Sequence, residues 1–518
     1  MFELQDQDIE LLRKKGISEQ KLRDQLKLIE QGVPFINFLQ PCTLQNGIKS
    51  INESELEKYV NLYEKSLGRV SPVKFVPASG AASRMFALLS KVLNNYEQLK
   101  DKIESGPEDE DTASFLEFIG NVDRFAFSGQ LREAVKNSGR DLEQLVDDKE
   151  YNVILEYLLT EKGLDYLNCP KGLIKFHSYE TGVRTAFEEH IAETISYCKA
   201  PSGTGRVHFT ILADHEDKFS EFAGSAISEY EKKGVKLDIS FSFQSPDTDI
   251  VAVDFDNNPL RDEKAQLVFR PGGHGALLQN LAGLDSEIIF VKNIDNVVPD
   301  RLKDETVKYK KALGGYLLQL KDSMDTYLKL ISSNKINSSE IEDALGFIKD
   351  RLEIEIPAGL DSKSSEEKTS FISNILNRPL RVCGVVKNEG EPGGGPFWVK
   401  DSEGKATKQI VESAQVDFNN NEQKQIWSSS THFNPVDLVC SIYDYKGEKF
   451  DLQEFVDMNT VFITKKSKDG VDLKAMELPG LWNGSMAFWN TVFIEVPLIT
   501  FNPVKTVFDL LKPEHSAN

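Results

Sequence analysis

The stretch "PVKFVPASGAASRMFALLSKVL", residues 72–93, opens with an apolar run through Val73, Phe75 and Val76. It continues through six residues, Ala78 to Ser83, that are all Ala, Gly or Ser, and ends in an amphipathic pattern. A short strand, a small-residue loop and a helix are the start of an α/β unit. The pattern resumes at residue 171: "LIKFHSY", the helix "FEEHIAETISYC", "RVHFTILA", the helix "KFSEFAGSAISEYEKKG", "LDISFSFQ", "QLVFR" and "EIIFVKNIDNV" follow in order. Strands separated by helices predict an α/β fold built on a predominantly parallel sheet covered on both faces.

Around this core the chain reads as helical. In "SEQKLRDQLKLIEQG" Leu22, Leu26 and Ile29 fall at i, i+4 and i+7 and Gly32 supplies a stop, so residues 1–68 are expected to form an N-terminal helical region. Residues 69–300 are expected to form the first half of the α/β domain, with a helical insertion over about 91–170 that contains the acidic, turn-rich "KIESGPEDEDTASF" (102–115) as a solvated loop. Residues 301–380 read as a second helical insertion, and 381–518 as the half that completes the α/β domain. No repeat of fixed period is visible.

Composition narrows the function. Forty per cent hydrophobic, 28% charged and 9% aromatic residues describe a globular chain. No apolar run approaches the roughly 18 residues a bilayer span needs, and the opening "MFELQDQDIELLRKKG" does not read as a secretory signal, so a cytoplasmic protein without a membrane is expected. Cys42, Cys169, Cys198, Cys383 and Cys440 are scattered and odd in number, which argues for free thiols over a disulfide frame or a zinc site. A net charge of −21 disfavours a nucleic-acid polymer but not one nucleotide held by backbone N–H groups, a few cations and a divalent metal.

Loops at the carboxyl ends of strands bind ligands in open α/β sheets, and three segments fit that place. In "VPASGAASRM" (76–85) the small residues let phosphates reach the backbone, with Arg84 behind; helix packing against the sheet is the other reading. "RPGGHG" (270–275) presents His274 to a ribose or phosphate, or is a tight connection. In "IIFVKNIDNVV" (288–298) Asp295 is a magnesium ligand or the start of an Asx turn. Two further features are open in the same way. "DFD" (254–256) is an Asp-x-Asp metal motif or, with Asn257 and Asn258, a hairpin turn. Lys175, His177, Arg184 and His190 in "KFHSYETGVRTAFEEH" bind an acceptor phosphate or form a solvated helix face with one packed histidine.

Taken in order, "ASGAASR" (78–84), "PGGHG" (271–275), "NIDN" (293–296) and "NPVKTVFDLL" (502–511) resemble the motifs of the UDP-sugar pyrophosphorylase branch of the sugar-1-phosphate nucleotidyltransferases. "FSFQSPDTDIVAVDFDNNPL" and "MELPGLWNGSMAFWNTVFIEVPLITFNPVK" are similar to the runs between those motifs, and the whole resembles bacterial proteins grouped only as a domain of unknown function. The resemblance implies a GT-A-like, Rossmann-like mixed sheet with helices on both faces, and transfer of a nucleotidyl group, uridylyl first, from a nucleoside triphosphate (UTP) to a sugar-1-phosphate with Mg²⁺. Carried over residue by residue, Ala78, Ser79 and Gly80 lie against base and phosphates and Arg84 faces the leaving pyrophosphate. Gln244 and Gly273 contact the base, Gly275 is a further nucleotide-binding position, His274 lies near the ribose, Asp295 holds Mg²⁺, Lys505 binds the phosphates of the nucleotide-sugar and Glu412 touches sugar hydroxyls.

The chain also departs from the family pattern. The small-residue loop is not followed by the family's Pro-Lys, leaving Lys91, or Lys175 and Arg184, to replace the lysine; Ala276 stands where an Asp often follows the glycine loop; and the tyrosine of the sugar-contacting motif is absent. A GT-A glycosyltransferase and a catalytically weak nucleotide-sugar binding protein are the competing functions.

Overall fold

The structure, a computed structural model, describes residues 3–106, 109–390, 393–400, 404–468 and 471–515. The chain divides into two compact units: residues 1–75, 242–291 and 309–498 form the first, and residues 76–241, 292–308 and 499–518 the second.

In the first unit, strands run in the order Ile48–Lys49, Asn490–Glu495, Leu380–Lys387, His432–Ser441, Ile289–Lys292 and Val73–Pro77. Leu380–Lys387 pairs in parallel with Asn490–Glu495 but antiparallel with His432–Ser441, and Ile289 to Val291 pair in parallel with Val73 to Phe75. The fold is therefore of the mixed α/β class that the resemblance implies, and less uniformly parallel than alternation alone predicts. The reason is local. All ten residues of His432–Ser441 are buried, and a strand covered on both faces has the same pattern whichever way it runs.

The helix read from "SEQKLRDQLKLIEQG" spans Glu19–Gln31, with the Ser18 side chain accepting from the Lys21 N–H and Gly32 ending it at φ 72°. With Asp6–Lys15 it buries Leu12, Leu22 and Ile29 against Ile250, Val251 and Met476 of a separate sheet ordered Phe462–Lys468, Val471–Glu477, Ile250–Val253 and Phe269–Arg270. Arg261 locks this packing by donating from both terminal nitrogens to Asp8 at 2.8 Å, and that bond holds the Asp8 carboxyl below its ordinary range. The N-terminal region is not helical throughout. Phe38–Pro41 is a strand, paired antiparallel with Gly395–Lys400 and packed ring to ring, Phe38 on Phe397 at 4.8 Å. Four residues carry too little periodicity to announce a strand whose partner lies some 350 positions away.

In the second unit Thr204–Ile211 lies between the end of Val73–Pro77 and Lys236–Phe243. The expected insertion is a helical block from Ala87–Asn94 to Tyr151–Leu159, with Tyr96–Ser105, Glu110–Gly120, Ser128–Asn137 and Leu142–Asp147 between. Of the acidic loop expected over 102–115, the helices take all but a short link, in which 107 and 108 lie outside the described residues. The block is held by Phe86, Phe115, Phe118, Phe125 and Phe127, all buried, in one core with Val207 and Phe209. Each such ring contributes about 1.5–3 kcal/mol. The expected strand "LIKFHSY" belongs to a hairpin, Lys175–Tyr179 with Gly182–Thr185. The second helical region forms Lys303–Ser332, Ser338–Asp350 and Ser365–Leu376. No helix among the described residues is long and apolar enough to cross a membrane.

A buried polar network ties the chain's last described residues to this hairpin. His177 Nδ1 lies 2.9 Å from Glu189 Oε1, its Nε2 lies 3.0 Å from His515 Nδ1, and Tyr179 donates to Glu189 at 2.6 Å. Burial, with His177 beside it, pushes His515 down to about 3. Below pH 6.5 the unfolded chain therefore takes up a proton that the folded chain accepts only near pH 3, and stability falls as pH drops through that window, by about 1.4 kcal/mol per pH unit for one group. His515→Gln is expected to flatten the decline of the thermal midpoint between pH 6.5 and 4.5; an unaltered slope would exclude His515 as its source.

Candidate functional site

In the second unit, Asp295 follows the strand Ile289–Lys292 and is nearly buried, its side chain 11% exposed. Its Oδ2 accepts from Lys171 Nζ at 2.8 Å and from Lys505 Nζ at 3.0 Å, while Oδ1 is buried with no hydrogen-bond partner among the described residues. Burial alone would raise this carboxyl; the two ammonium groups outweigh it, and the net shift is below the ordinary carboxylate range. Two expected motifs interlock to build the group. Val504 N–H donates to the Asp295 carbonyl, Asn502 N–H donates to Asn296 Oδ1, and Asn296 bridges to Pro503. Asp509 accepts from the N–H groups of Lys505 and Thr506, fixing the turn that presents Lys505.

The small-residue loop is placed by the same neighbours. Ala78 N–H donates to the Thr210 carbonyl, Ala82 N–H to the Cys169 carbonyl and Lys171 N–H to the Gly80 carbonyl; Ala81 bridges to Pro170; and Val507 N–H donates to the Met85 carbonyl. Ser79 is partly buried and Gly80 exposed, and Arg84 is exposed with no hydrogen bond or ion pair among the described residues. Asp295, Lys505 and the loop ending in Arg84 thus belong to one neighbourhood. Lys171 is the residue that sequence reasoning passes over. Pro170-Lys171 is the first Pro-Lys after the loop, hidden by the helical block between them.

In the first unit, "PGGHG" wraps a different group. Gly273 has φ 76°, a conformation side chains rarely adopt, and a Cβ on Gly275 would lie 2.1 Å from the Pro479 carbonyl oxygen. The glycines admit the chain's own 477–480 segment. His274 stacks on Trp482 with ring centres 4.3 Å apart, and its Nδ1 accepts from the Leu481 N–H at 3.0 Å. Burial pushes this histidine below its ordinary range against the pull of Glu412 and Glu477, so the neutral ring is favoured at pH 7. An accepting Nδ1 places the ring proton on Nε2, which faces Glu412 Oε1 at 3.7 Å. Gln244 donates to Thr248 Oγ1 at 3.2 Å in the turn after its strand.

The remaining candidates already have partners. Lys175 lies 3.4 Å from Glu188 and over the Phe222 ring; Arg184 pairs with Asp300 at 2.7 Å and covers Tyr179; Lys91 pairs with Asp111 at 2.5 Å. His190 Nε2 meets the Ile294 carbonyl at 3.2 Å, and His177 is the buried histidine described above. In "DFD" Asp254 accepts from the N–H groups of Asp256 and Asn258, with Asn257 at φ 67°, which is the geometry of the hairpin turn. The five cysteines are free thiols.

The solved structures similar to this chain include the uridine diphosphate N-acetylglucosamine pyrophosphorylase of Trypanosoma brucei in complex with an inhibitor, at 12% identity and TM-score 0.48, over 95% of this chain and 74% of that one. They include UDP-glucose phosphorylase of Trypanosoma brucei, at 13% identity and TM-score 0.45, over 98% and 77%. A variant of UDP-glucose pyrophosphorylase of Leishmania major in complex with UDP-glucose is similar at 13% identity and TM-score 0.43, over 98% and 79%. No curated protein matches the sequence. A family model described as a domain of unknown function, DUF4301, matches residues 5–516.

Proposed function

The chain belongs to the DUF4301 family, and we propose that it is a cytoplasmic sugar-1-phosphate nucleotidyltransferase, with UTP the favoured nucleotide. A phosphate oxygen of the sugar-1-phosphate attacks the α-phosphorus of the triphosphate, the bond to the bridging oxygen of the β-phosphate breaks, and pyrophosphate leaves. The observation that carries this reading is Asp295, a nearly buried carboxylate with one oxygen shared by two lysines and the other without a hydrogen-bond partner among the described residues, beside a loop of small residues.

Such a transfer asks little covalent work of the protein; placement and neutralisation of charge do most of it. Lys505, half exposed, reaches from Asp295 to a phosphate by a side-chain rotation, and exposed Arg84 receives the leaving pyrophosphate. The backbone of Ala78, Ser79 and Gly80 takes a nucleotide without side chains in its way. In the first unit, Gln244, Gly273, His274 and Gly275 are assigned to the nucleoside and Glu412 to sugar hydroxyls. Lys175 and Arg184 enter an acceptor role only by leaving Glu188 and Asp300.

The residues fit magnesium. Among the described residues no three His, Cys, Asp or Glu side chains converge on one point, and a single carboxylate completed by substrate phosphates is a set Mg²⁺ accepts. Asp295 Oδ1 would be its protein ligand; the ion, when bound, supplies neutralisation of phosphate charge.

The test is pyrophosphate release from each nucleoside triphosphate with a set of sugar-1-phosphates. Lys505→Ala is expected to lower kcat/KM by about 100-fold, the scale of one lost charge on developing phosphate charge, and unchanged turnover removes it from the site. Asp256→Asn, in the hairpin turn, is expected to leave turnover within about 2-fold, since exposed turn substitutions change little. Loss of activity there would instead favour a glycosyltransferase with an Asp-x-Asp metal site.

A further inference from the structure

Arg381, on the strand Leu380–Lys387, is fully buried. Its Nε donates to Thr491 Oγ1 on the neighbouring parallel strand at 2.9 Å, and its Nη1 donates to the Trp482 carbonyl at 2.6 Å with Met486 Sδ 3.5 Å away. Its Nη2 is buried with no hydrogen-bond partner among the described residues. The ionisable groups that act on it are the thiols of Cys383 and Cys440, which burial raises, Cys383 to about 11, so at pH 7 they bring no counter-charge. A guanidinium keeps its proton, so a full positive charge is buried here against neutral acceptors alone. An apolar side chain of similar volume would fill such a space without the desolvation penalty.

What the charge holds is the segment packed on His274. The Trp482 ring stacks on the His274 ring with centres 4.3 Å apart, and the Leu481 N–H donates to His274 Nδ1 at 3.0 Å. The flanks of the segment are tied by neutral bonds, Asn483 Nδ2 to the Ile410 carbonyl at 3.0 Å and Gln409 Nε2 to the Ala487 carbonyl at 2.8 Å. The Trp482 peptide is held between them by the guanidinium. The fit has no slack: a Cβ on Gly480 would lie 2.6 Å from His274 Cε1 and 2.5 Å from Asn483 Oδ1.

We propose that Arg381 is a positioning residue for nucleoside binding: through the Trp482 carbonyl it sets the indole against which His274 is stacked, and it touches no substrate itself. This rests on the transferase reading, in which His274 faces the nucleoside. The planar fork fixes Thr491 and Trp482 in one geometry, and bonds from a charged donor resist displacement better than neutral ones. A lysine carries the same charge as a single point on a flexible stem and cannot hold both acceptors in that plane. A buried charge kept for support alone would be lost at the expense of stability, whereas one kept for placement separates stability from binding.

The experiment measures thermal unfolding, calorimetric titration with UTP and Mg²⁺, and steady-state pyrophosphate release on the full chain. Arg381→Met, which fills the space without the charge, is expected to unfold at or above the wild-type midpoint, yet to weaken UTP binding and raise the UTP KM by about 10-fold with kcat within about 3-fold. Arg381→Lys is expected to recover part of the affinity. Trp482→Ala is expected to weaken UTP similarly, and adding Arg381→Met to it to change the affinity by less than about 2-fold, because both act through one contact. In a wild type that binds UTP and releases pyrophosphate, three results each overturn this inference alone. They are a UTP affinity within about 2-fold of wild type in Arg381→Met, effects that multiply in the double variant, and a midpoint lowered by more than about 5 °C in both Arg381→Met and Arg381→Lys. A wild type that neither binds UTP nor releases pyrophosphate overturns the transferase reading and the nucleoside role of Arg381 with it.

Discussion

Asp295→Asn is expected to lower Mg²⁺-dependent pyrophosphate release by about 100- to 1,000-fold, the range in which removing one charge-stabilising group is felt in a transfer reaction. Asparagine keeps the shape and one acceptor oxygen for Lys171 and Lys505 but carries no charge for a metal. Removing one partner of a fully buried ion pair costs about 3–5 kcal/mol; the cost here is smaller, because Lys505 is half exposed. Thermal unfolding measured beside turnover separates the two effects. Adding Lys171→Met removes the unmatched ammonium and is expected to return stability while turnover stays low. A folded Asp295→Asn protein within about 3-fold of wild-type turnover would end the assignment of this carboxylate. Because the Asp295 carboxyl lies below the ordinary range, its contribution to stability is present above the unfolded carboxylate value and is lost only as pH falls through the lower folded one, so neutral-pH profiles should show no limb from it.

Gly275→Ala carries the second large effect. The added carbon would lie 2.1 Å from the Pro479 carbonyl oxygen and 2.9 Å from its carbon, and both are backbone atoms that cannot swing aside as a side chain does. Overpacking of this kind costs about 1–3 kcal/mol and more where backbone must move. The shift falls on the segment whose Leu481 N–H fixes His274 and whose Trp482 stacks on it, so nucleotide KM is expected to rise together with the loss of stability. Gly346→Ala is the control: it lies within the helix Ser338–Asp350, nothing is within 4 Å of its Cβ position, and alanine there is expected to stabilise by about 0.5–1 kcal/mol. Denaturant unfolding of the two variants, measured together, decides whether close approach or chain entropy governs these glycines. A Gly275→Ala protein as stable as wild type would mean that the loop yields freely and that its glycines answer to something other than the 477–480 segment.

Asp295 and Lys505 are legible as ligand candidates because each stands in a short pattern at a strand end or a Pro-bounded turn, where a polar side chain is exposed by local chain geometry. Lys171 is not, because its meaning lies in a pairing between Pro170 and Ala81 across nearly ninety residues of helix. The glycines of "PGGHG" show the same limit from the other side. Their small size is plain in the sequence, but the atoms that require it belong to Pro479 and Glu477, two hundred positions later.

The sequence by itself determined the alternation of strands and helices, the helical block, the N-terminal amphipathic helix and the small-residue loop. These follow from periodicity and capping within a dozen residues, such as Leu22 and Ile29 on one face behind a Ser18 cap. Only the tertiary structure decided the antiparallel run of His432–Ser441, the strand at Phe38–Pro41, the ion pairs that occupy Lys175 and Arg184, and the sharing of one Asp295 oxygen by two lysines. Periodicity reports which faces are buried, whereas strand direction and charge pairing depend on which distant segments meet, and a single sequence carries no local trace of that meeting.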